Sequence, residues 1–334
     1  MPVAASATLL AAATNGAGLL RAPGERRERG RGRGGRAGTA ADIPSDGSPR
    51  ADGAPPATKM EHLDVGSGQL SYVRAGTEGD PVILVHGGWD DHRLWDPLAA
   101  SLGSSLQLLS YDRRGHGESS ARVGERPVLD DTLDLAAVLE GTDHFPAHLV
   151  AQGYGGSLAL RLALDRPELV RSVAVHEPPF WQTAPPGRGA AAAPPLSVEV
   201  ARLVRLAGES GAEAVARSYL EALGSPEERW DRWDADARAR LLENAGAWAR
   251  EMADPESGGP GATDLSGLAV PALVTFGGRS PRLAAMTAEA LGGVLANSTV
   301  VQLPEVGHWA PRTEPSLYAG VLGSFLLERN VPST

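Results

Sequence analysis

The chain has 334 residues, a formal net charge of -10, 42% hydrophobic residues and no cysteine. That length suffices for one large domain or two small ones. The missing thiols exclude disulfides, a thiolate nucleophile and Cys-ligated metal centres, and the acidic balance argues against nucleic acid as a partner. No run of ~18 uninterrupted apolar residues occurs, so no membrane span is expected. A cytoplasmic protein handling a small molecule is the expectation, with no cofactor or metal implied. Lys59 is the only lysine, which with the abundant Ala and Gly reads as a composition bias of the source genome.

Residues 1–59 are rich in Ala, Gly, Pro and Arg, with a basic run from Arg21 to Arg36. Lacking aromatic and branched residues that could bury a core, they read as a disordered N-terminal extension. A signal peptide fits less well, because Asn15 and Gly16 interrupt the apolar stretch and the positive charges follow it. Met60 opens a segment that already reads as a domain start, so it is an alternative initiation site to Met1.

From Met60 the pattern is regular. Glu61–Val65 and Gln69–Arg74 flank a Gly-Ser-Gly turn and read as an antiparallel hairpin. Pro81–His86 is a continuous apolar run, the mark of a strand buried on both faces. A helix over Arg93–Leu102 and a strand over Leu106–Tyr111 follow. Helix Val128–Leu139, strand His148–Ala151, helix Gly155–Leu164 and strand Arg171–His176 come next. After a gap the alternation resumes with strand Pro271–Phe276, helix Pro281–Leu291, strand Ser298–Leu303 and helix Pro315–Glu328. Such alternation predicts an α/β fold with a mostly parallel sheet and helices on both faces, whose active residues gather at the carboxyl ends of the strands.

The gap, residues 178–264, carries Pro- and Gly-rich linkers around amphipathic helices near Ser197–Ala207, Ala212–Leu223 and Ala235–Met252. Placed between two sheet strands, it is expected to form a helical cap over a core made of residues 60–177 and 265–330. Trp181, Trp230, Trp233 and Trp248 are candidates either to line an apolar cavity or to pack the cap helices together.

Four ordered segments resemble the α/β-hydrolase superfamily. They are His86-Gly87-Gly88-Trp89, with Trp95 beyond it; Asp112 to Ser119 (DRRGHGES); Leu149 to Gly156 (LVAQGYGG), at the place of the nucleophile elbow; and Val306-Gly307-His308-Trp309. The resemblance covers Met60 to about Asn330 and implies an eight-stranded-type sheet with a cap. It places the general base at His308 and an oxyanion hole at the backbone N–H groups of Gly88 and Tyr154. Two positions depart from it. The nucleophile position is Gly153, which has no side chain to attack with; Ser157, four residues on in the helix, is expected to face away from the cleft. The acid position after strand Pro271–Phe276 is Ser280, while Glu177, after the preceding strand, is the candidate partner of His308. His86 and His116 fall in motif loops as turn braces; His62, His92, His144 and His148 carry no signal.

A glycine at the elbow has a physical rationale. The elbow holds its central residue at positive φ, which costs a non-Gly residue on the order of 1–3 kcal/mol, and glycine escapes that cost. Three functions follow as alternatives. The first is an enzyme using His308 as general base and the oxyanion hole on a small hydrophobic substrate, in a lyase, cyclase or cofactor-free type of reaction. The second is an ester or related hydrolase, and the third a non-catalytic ligand-binding protein.

Overall fold

The computed structural model describes residues 59–120, 127–179 and 196–327. The N-terminal extension apart from Lys59, and Trp181, lie outside the described residues. Eight strands form one sheet in the order β1-β2-β4-β3-β5-β6-β7-β8. They are β1 (Glu61–Asp64), β2 (Gln69–Ala75), β3 (Pro81–Val85), β4 (Gln107–Tyr111), β5 (Ala147–Gln152), β6 (Val170–His176), β7 (Ala272–Gly277) and β8 (Ser298–Leu303). The hairpin β1–β2 joins β4 antiparallel, and every pairing from β4 through β3 to β8 is parallel.

The helices are α1 (Asp96–Leu102), α2 (Pro127–Gly141), α3 (Tyr154–Asp165), α4 (Leu196–Ser210), α5 (Ala212–Leu223), α6 (Ala235–Ala253), α7 (Ala262–Leu265), α8 (Arg282–Val294), α9 (Ala310–Thr313) and α10 (Pro315–Leu327). The helix expected over Arg93–Leu102 divides in two. His92–Trp95 is a 3-10 turn capped by Asp91, and α1 starts after it with Pro97 in its first turn, where a missing N–H costs nothing.

Side chains alternate across the parallel strands. Ile83, Val85, Leu149, Ala151, Val173 and Val175 point to one face, where α2, α3 and α8 cover them. Val82, Leu84, Val150, Ala174 and Leu273 point to the other, where they meet Leu98 of α1 and Leu322 of α10. Helices α4 to α6 pack on one another and bury Leu203, Val215, Leu220, Leu241 and Trp248 in that second cluster. Asp234 starts α6 by accepting the Ala237 N–H at 2.7 Å, a cap that satisfies an orphan donor. No helix among the described residues is long and apolar enough to cross a membrane.

Register decides what the fold brings together. Val85 pairs with Ala151, Gln152 with His176, and His176 with Thr275. The loops opening at His86, Gly153 and Glu177 therefore leave the sheet side by side, at its carboxyl edge.

Candidate active site

The turn between β5 and α3 is tight and has a glycine at its centre. Gly153 has φ 54° and ψ -127°, a conformation few non-Gly residues adopt. Its N–H donates to His176 O at 2.9 Å, and its carbonyl accepts from Gly156 N at 2.8 Å. The following glycines are close-approach residues. A Cβ at Gly155 would lie 2.6 Å from the carbonyl oxygens of Val85 and His86, and one at Gly156 would lie 2.9 Å from Pro178 Cβ. A Cβ at Gly153 would instead meet only ordinary contacts, 3.5 Å from His308 Cε1 and Nε2. The imidazole thus faces the point from which an elbow side chain would project.

Glu177, at the end of β6, reaches that imidazole. His308 Nδ1 and Glu177 Oε2 are 2.9 Å apart, and both side chains are under 10% exposed. Glu177 Oε1 accepts the Gly277 N–H at 2.8 Å. Burial alone would push the Glu177 carboxyl up. The hydrogen bond from His308 and the nearby His176 and His308 charges outweigh it and hold the group at about 2. An ionised carboxylate only accepts, so Nδ1 is the donor, and Nε2 is the ring nitrogen that faces Gly153. Glu177 itself sits at φ 47°, backbone strain of the kind that concentrates at functional sites.

Ser280 does not bond the imidazole, but its hydroxyl is among the groups that hold the Glu177 carboxyl down. Its Oγ packs 2.7 Å from where a Gly277 Cβ would stand, while the imidazole is bonded to Glu177. Ser157 is turned away from the cleft, fully buried with its hydroxyl donating to Ser257 O at 3.0 Å. Gln152 is a residue that motif reading passed over. Its Nε2 donates to His308 O at 3.0 Å, and its Oε1 fills the space a Gly87 Cβ would need, 2.6 Å away. One side chain therefore ties elbow, glycine loop and histidine loop together.

The glycine loop rests on a buried ionic network. Arg113 donates to His86 O and Gly87 O at 3.2 and 3.1 Å, and its Nη1 bridges Asp131 (2.8 Å) and Glu251 (2.5 Å). Its guanidinium lies 4.8 Å from the Tyr154 ring centroid, a cation–π contact. His86 Nε2 accepts the Arg113 N–H at 3.0 Å, and His116 lies 3.3 Å from Gly88 O, so both histidines brace these turns. Burial, with the Arg113 charge beside each ring, lowers the pKa of both. Tyr154 opens α3, and the first N–H of a helix has no intrahelical partner.

The helical insertion supplies the other wall. Trp248 Cδ1 and Glu251 Oε2 of α6 each lie 2.7 Å from where a Gly88 Cβ would stand. Trp89, Tyr219 and Trp248 stack with centroids 4.7 to 5.6 Å apart, and Tyr219 reaches His308 and Trp309 at 6.3 and 6.2 Å. Trp233 packs on Trp309 at 4.8 Å, and Trp230 lies against Arg217 and Arg238. Of the insertion's tryptophans, Trp248 borders the site, Trp233 packs on the loop that carries His308, and Trp230 packs within the insertion. Glu228 is the second functional candidate that sequence reasoning missed. It reads as one member of a charged run, yet only 1% is exposed and it accepts the Trp309 N–H at 2.7 Å.

A triplet of possible metal ligands, Asp91, His92 and Asp112, lies nearby. Asp112 is consumed by N–H groups of His92 and Glu118 and by the His92 ring, and Asp91 by the Arg93 backbone and guanidinium. Those bonds make the cluster a turn brace.

Comparison with known proteins agrees with this fold. The sequence model of the alpha/beta hydrolase family matches residues 82–321. The dihydrolipoyllysine-residue acetyltransferase component of the acetoin cleaving system of Cupriavidus necator is 30% identical over 141 residues, 41% of this chain and 36% of that one. A haloalkane dehalogenase of Mesorhizobium japonicum is 29% identical over 121 residues, 36% of this chain and 39% of the relative. Each match thus spans less than half the relative's length. Among solved structures, an enol-lactonase from Burkholderia xenovorans superposes with a TM-score of 0.64 at 20% identity, covering 80% of this chain and 100% of that one.

Proposed function

The chain belongs to the alpha/beta hydrolase family, and we propose that it catalyses a reaction on a small, largely apolar molecule by general-base chemistry without a covalent enzyme intermediate. The observation that carries this reading is the ordered His308–Glu177 pair, with Nε2 turned to a Gly153 that has nothing to be activated. A substrate C–H or O–H at that point would give its proton to Nε2. Negative charge would develop on the substrate oxygen, held by the N–H groups of Gly88 and Tyr154. Glu177 would stabilise the imidazolium until the proton returns to product. The rings of Trp89, Tyr219 and Trp248 favour an apolar substrate body. General-base action contributes about 10²–10⁴-fold and one oxyanion donor about 10²–10³-fold, so useful rates need no nucleophile.

The names of the relatives favour a second reading, hydrolysis by a water that His308 deprotonates. The hydroxide would attack the substrate carbonyl, and the leaving group would depart with the proton returned from the imidazolium. Both readings need the same base. His308→Ala should reduce turnover of the native substrate by about 10²–10⁴-fold; unchanged turnover would defeat both readings, and a parent chain that binds small apolar molecules but turns none over would be a ligand-binding protein. A fluorophosphonate should not label the parent and should label Gly153→Ser at residue 153, because the restored hydroxyl meets Nε2 and the oxyanion donors. Labelling of Ser157 or Ser280 in the parent would instead reveal an ordinary serine hydrolase.

A further inference from the structure

The insertion grips the loop that carries His308. Glu228, at the end of the 3-10 turn Pro226–Glu228, lays its carboxylate flat on Gly307, with all three carboxylate atoms 2.6 to 2.7 Å from where a Cβ would stand. Only glycine leaves that space. Its Oε1 takes the Trp309 N–H at 2.7 Å, and Oε2 has no partner among the described residues. The segment continues the grip: Trp233 meets Trp309 edge to face at 4.8 Å, Arg312 lies 5.0 Å over the Trp233 ring, and Arg312 pairs with Asp234 at 3.5 Å. On the opposite side Gln152 holds the His308 carbonyl. The His308 backbone is therefore bracketed, by the elbow through its C=O and by the insertion through the N–H that follows.

Accepting His308 as the base proposed above, we infer that Glu228 is its positioning residue, fixing the His308 loop so that Nδ1 meets Glu177 and Nε2 meets the elbow. Two features set this apart from ordinary packing. A buried carboxylate is costly unless it is used, and an apolar side chain would cover Gly307 without that cost. The charged groups facing Glu228 are His308 and Glu177, and Tyr219 shares their field. Burial pushes Glu228 up to about 7, opposed by the Trp309 N–H and the His308 charge and reinforced by Glu177. None of these groups neutralises it as a salt-bridge partner would.

The test uses the full chain labelled with 15N-histidine. The proton on His308 Nδ1, bonded to Glu177, should give a downfield proton resonance that disappears in Glu177→Gln and His308→Ala. Glu228→Ala should lose or broaden that resonance while retaining a cooperative melt, and Glu228→Gln, which keeps an acceptor for the Trp309 N–H, should restore it. Gly307→Ala, which pushes the carboxylate off the loop without removing it, should behave like Glu228→Ala and serves if that variant does not fold. An unchanged resonance in folded Glu228→Ala or Gly307→Ala overturns the proposal. The readout needs no substrate. Its failure counts against Glu228 alone, whereas unimpaired turnover in His308→Ala would count against the base.

Discussion

The sheet and the helical insertion meet the same loops by different means. The sheet works through backbone: parallel register sets His86, Gly153 and Glu177 side by side, and main-chain bonds such as Gly153 N to His176 O hold them there. The insertion works through side chains laid on glycines, with Trp248 and Glu251 on Gly88 and Glu228 on Gly307. A scaffold built on backbone bonds accepts glycine at position 153, since none of those bonds needs a side chain there. An arrangement built on side chains can be retuned residue by residue, and there a change of chemistry would be written.

The largest effect should come from the network joining the two regions. Arg113 is 1% exposed and donates to both Asp131 and Glu251 while holding the carbonyls of the glycine loop, and burial raises the Asp131 carboxyl to about 8. Arg113→Ala takes the shared cation from two buried acids, and losing one partner of a buried pair costs about 3–5 kcal/mol. Urea denaturation should show that loss. A loss below about 1 kcal/mol would mean that sheet and insertion are not coupled through Arg113.

The two site carboxylates should respond to pH in opposite senses. Glu177 is held at about 2, below its usual range, so its stabilisation is complete above the unfolded value of 4.5 and fades as pH falls toward 2. Glu228 is raised to about 7, so its contribution is present below 4.5 and is lost as pH rises through 7. A tenfold change in proton affinity is worth about 1.4 kcal/mol, so Glu228→Gln should gain on the parent by up to roughly 3 kcal/mol between pH 5 and 8. Chemical melts across that range check it. Parallel curves for parent and variant would mean that Glu228 titrates alike in the folded and unfolded chain.

How much of this the sequence disclosed follows the same division. Continuous apolar runs and motif order placed the central strands to within a residue or two, because a strand buried on both faces has little compositional freedom. Glu177 was legible next to the end of β6, and His308, in the loop after β8, through the motif Val306-Gly307-His308-Trp309. The sequence marked them as candidate partners; the structure brings them within hydrogen-bonding distance and sets Ser280 beside Glu177 and not on the imidazole. Glu228, Trp248 and Glu251 had no such marker. A glutamate in a charged run and a tryptophan on an amphipathic helix look alike whether they face water or a glycine, and only the tertiary approach of α6 and the Pro226–Glu228 turn separates the two.

Restoring a side chain at Gly153 probes the sheet side with a smaller effect. A serine Cβ there meets nothing closer than 3.5 Å, so Gly153→Ser should cost only the positive-φ strain, about 1–3 kcal/mol, read as a lower melting temperature. A larger loss would mean that the elbow has relaxed around its glycine.

The smallest effect belongs to the insertion's outer face. Arg217 pairs with Glu213 one turn earlier on α5, both more than half exposed, and lies 4.7 Å from the Trp230 ring centroid. Exposed pairs at that spacing are worth about 0.3–0.5 kcal/mol, and an exposed cation–π contact about 0.5–1. Arg217→Ala should therefore cost no more than about 1.5 kcal/mol, and part of that should vanish in 1 M salt because the Debye length shrinks to about 3 Å. Glu213→Gln should remove the salt-sensitive part and leave the ring contact. If Arg217→Ala instead cost as much as Arg113→Ala, the insertion's surface would be holding it in place, and the glycine-seated side chains would be followers of its position and not its cause.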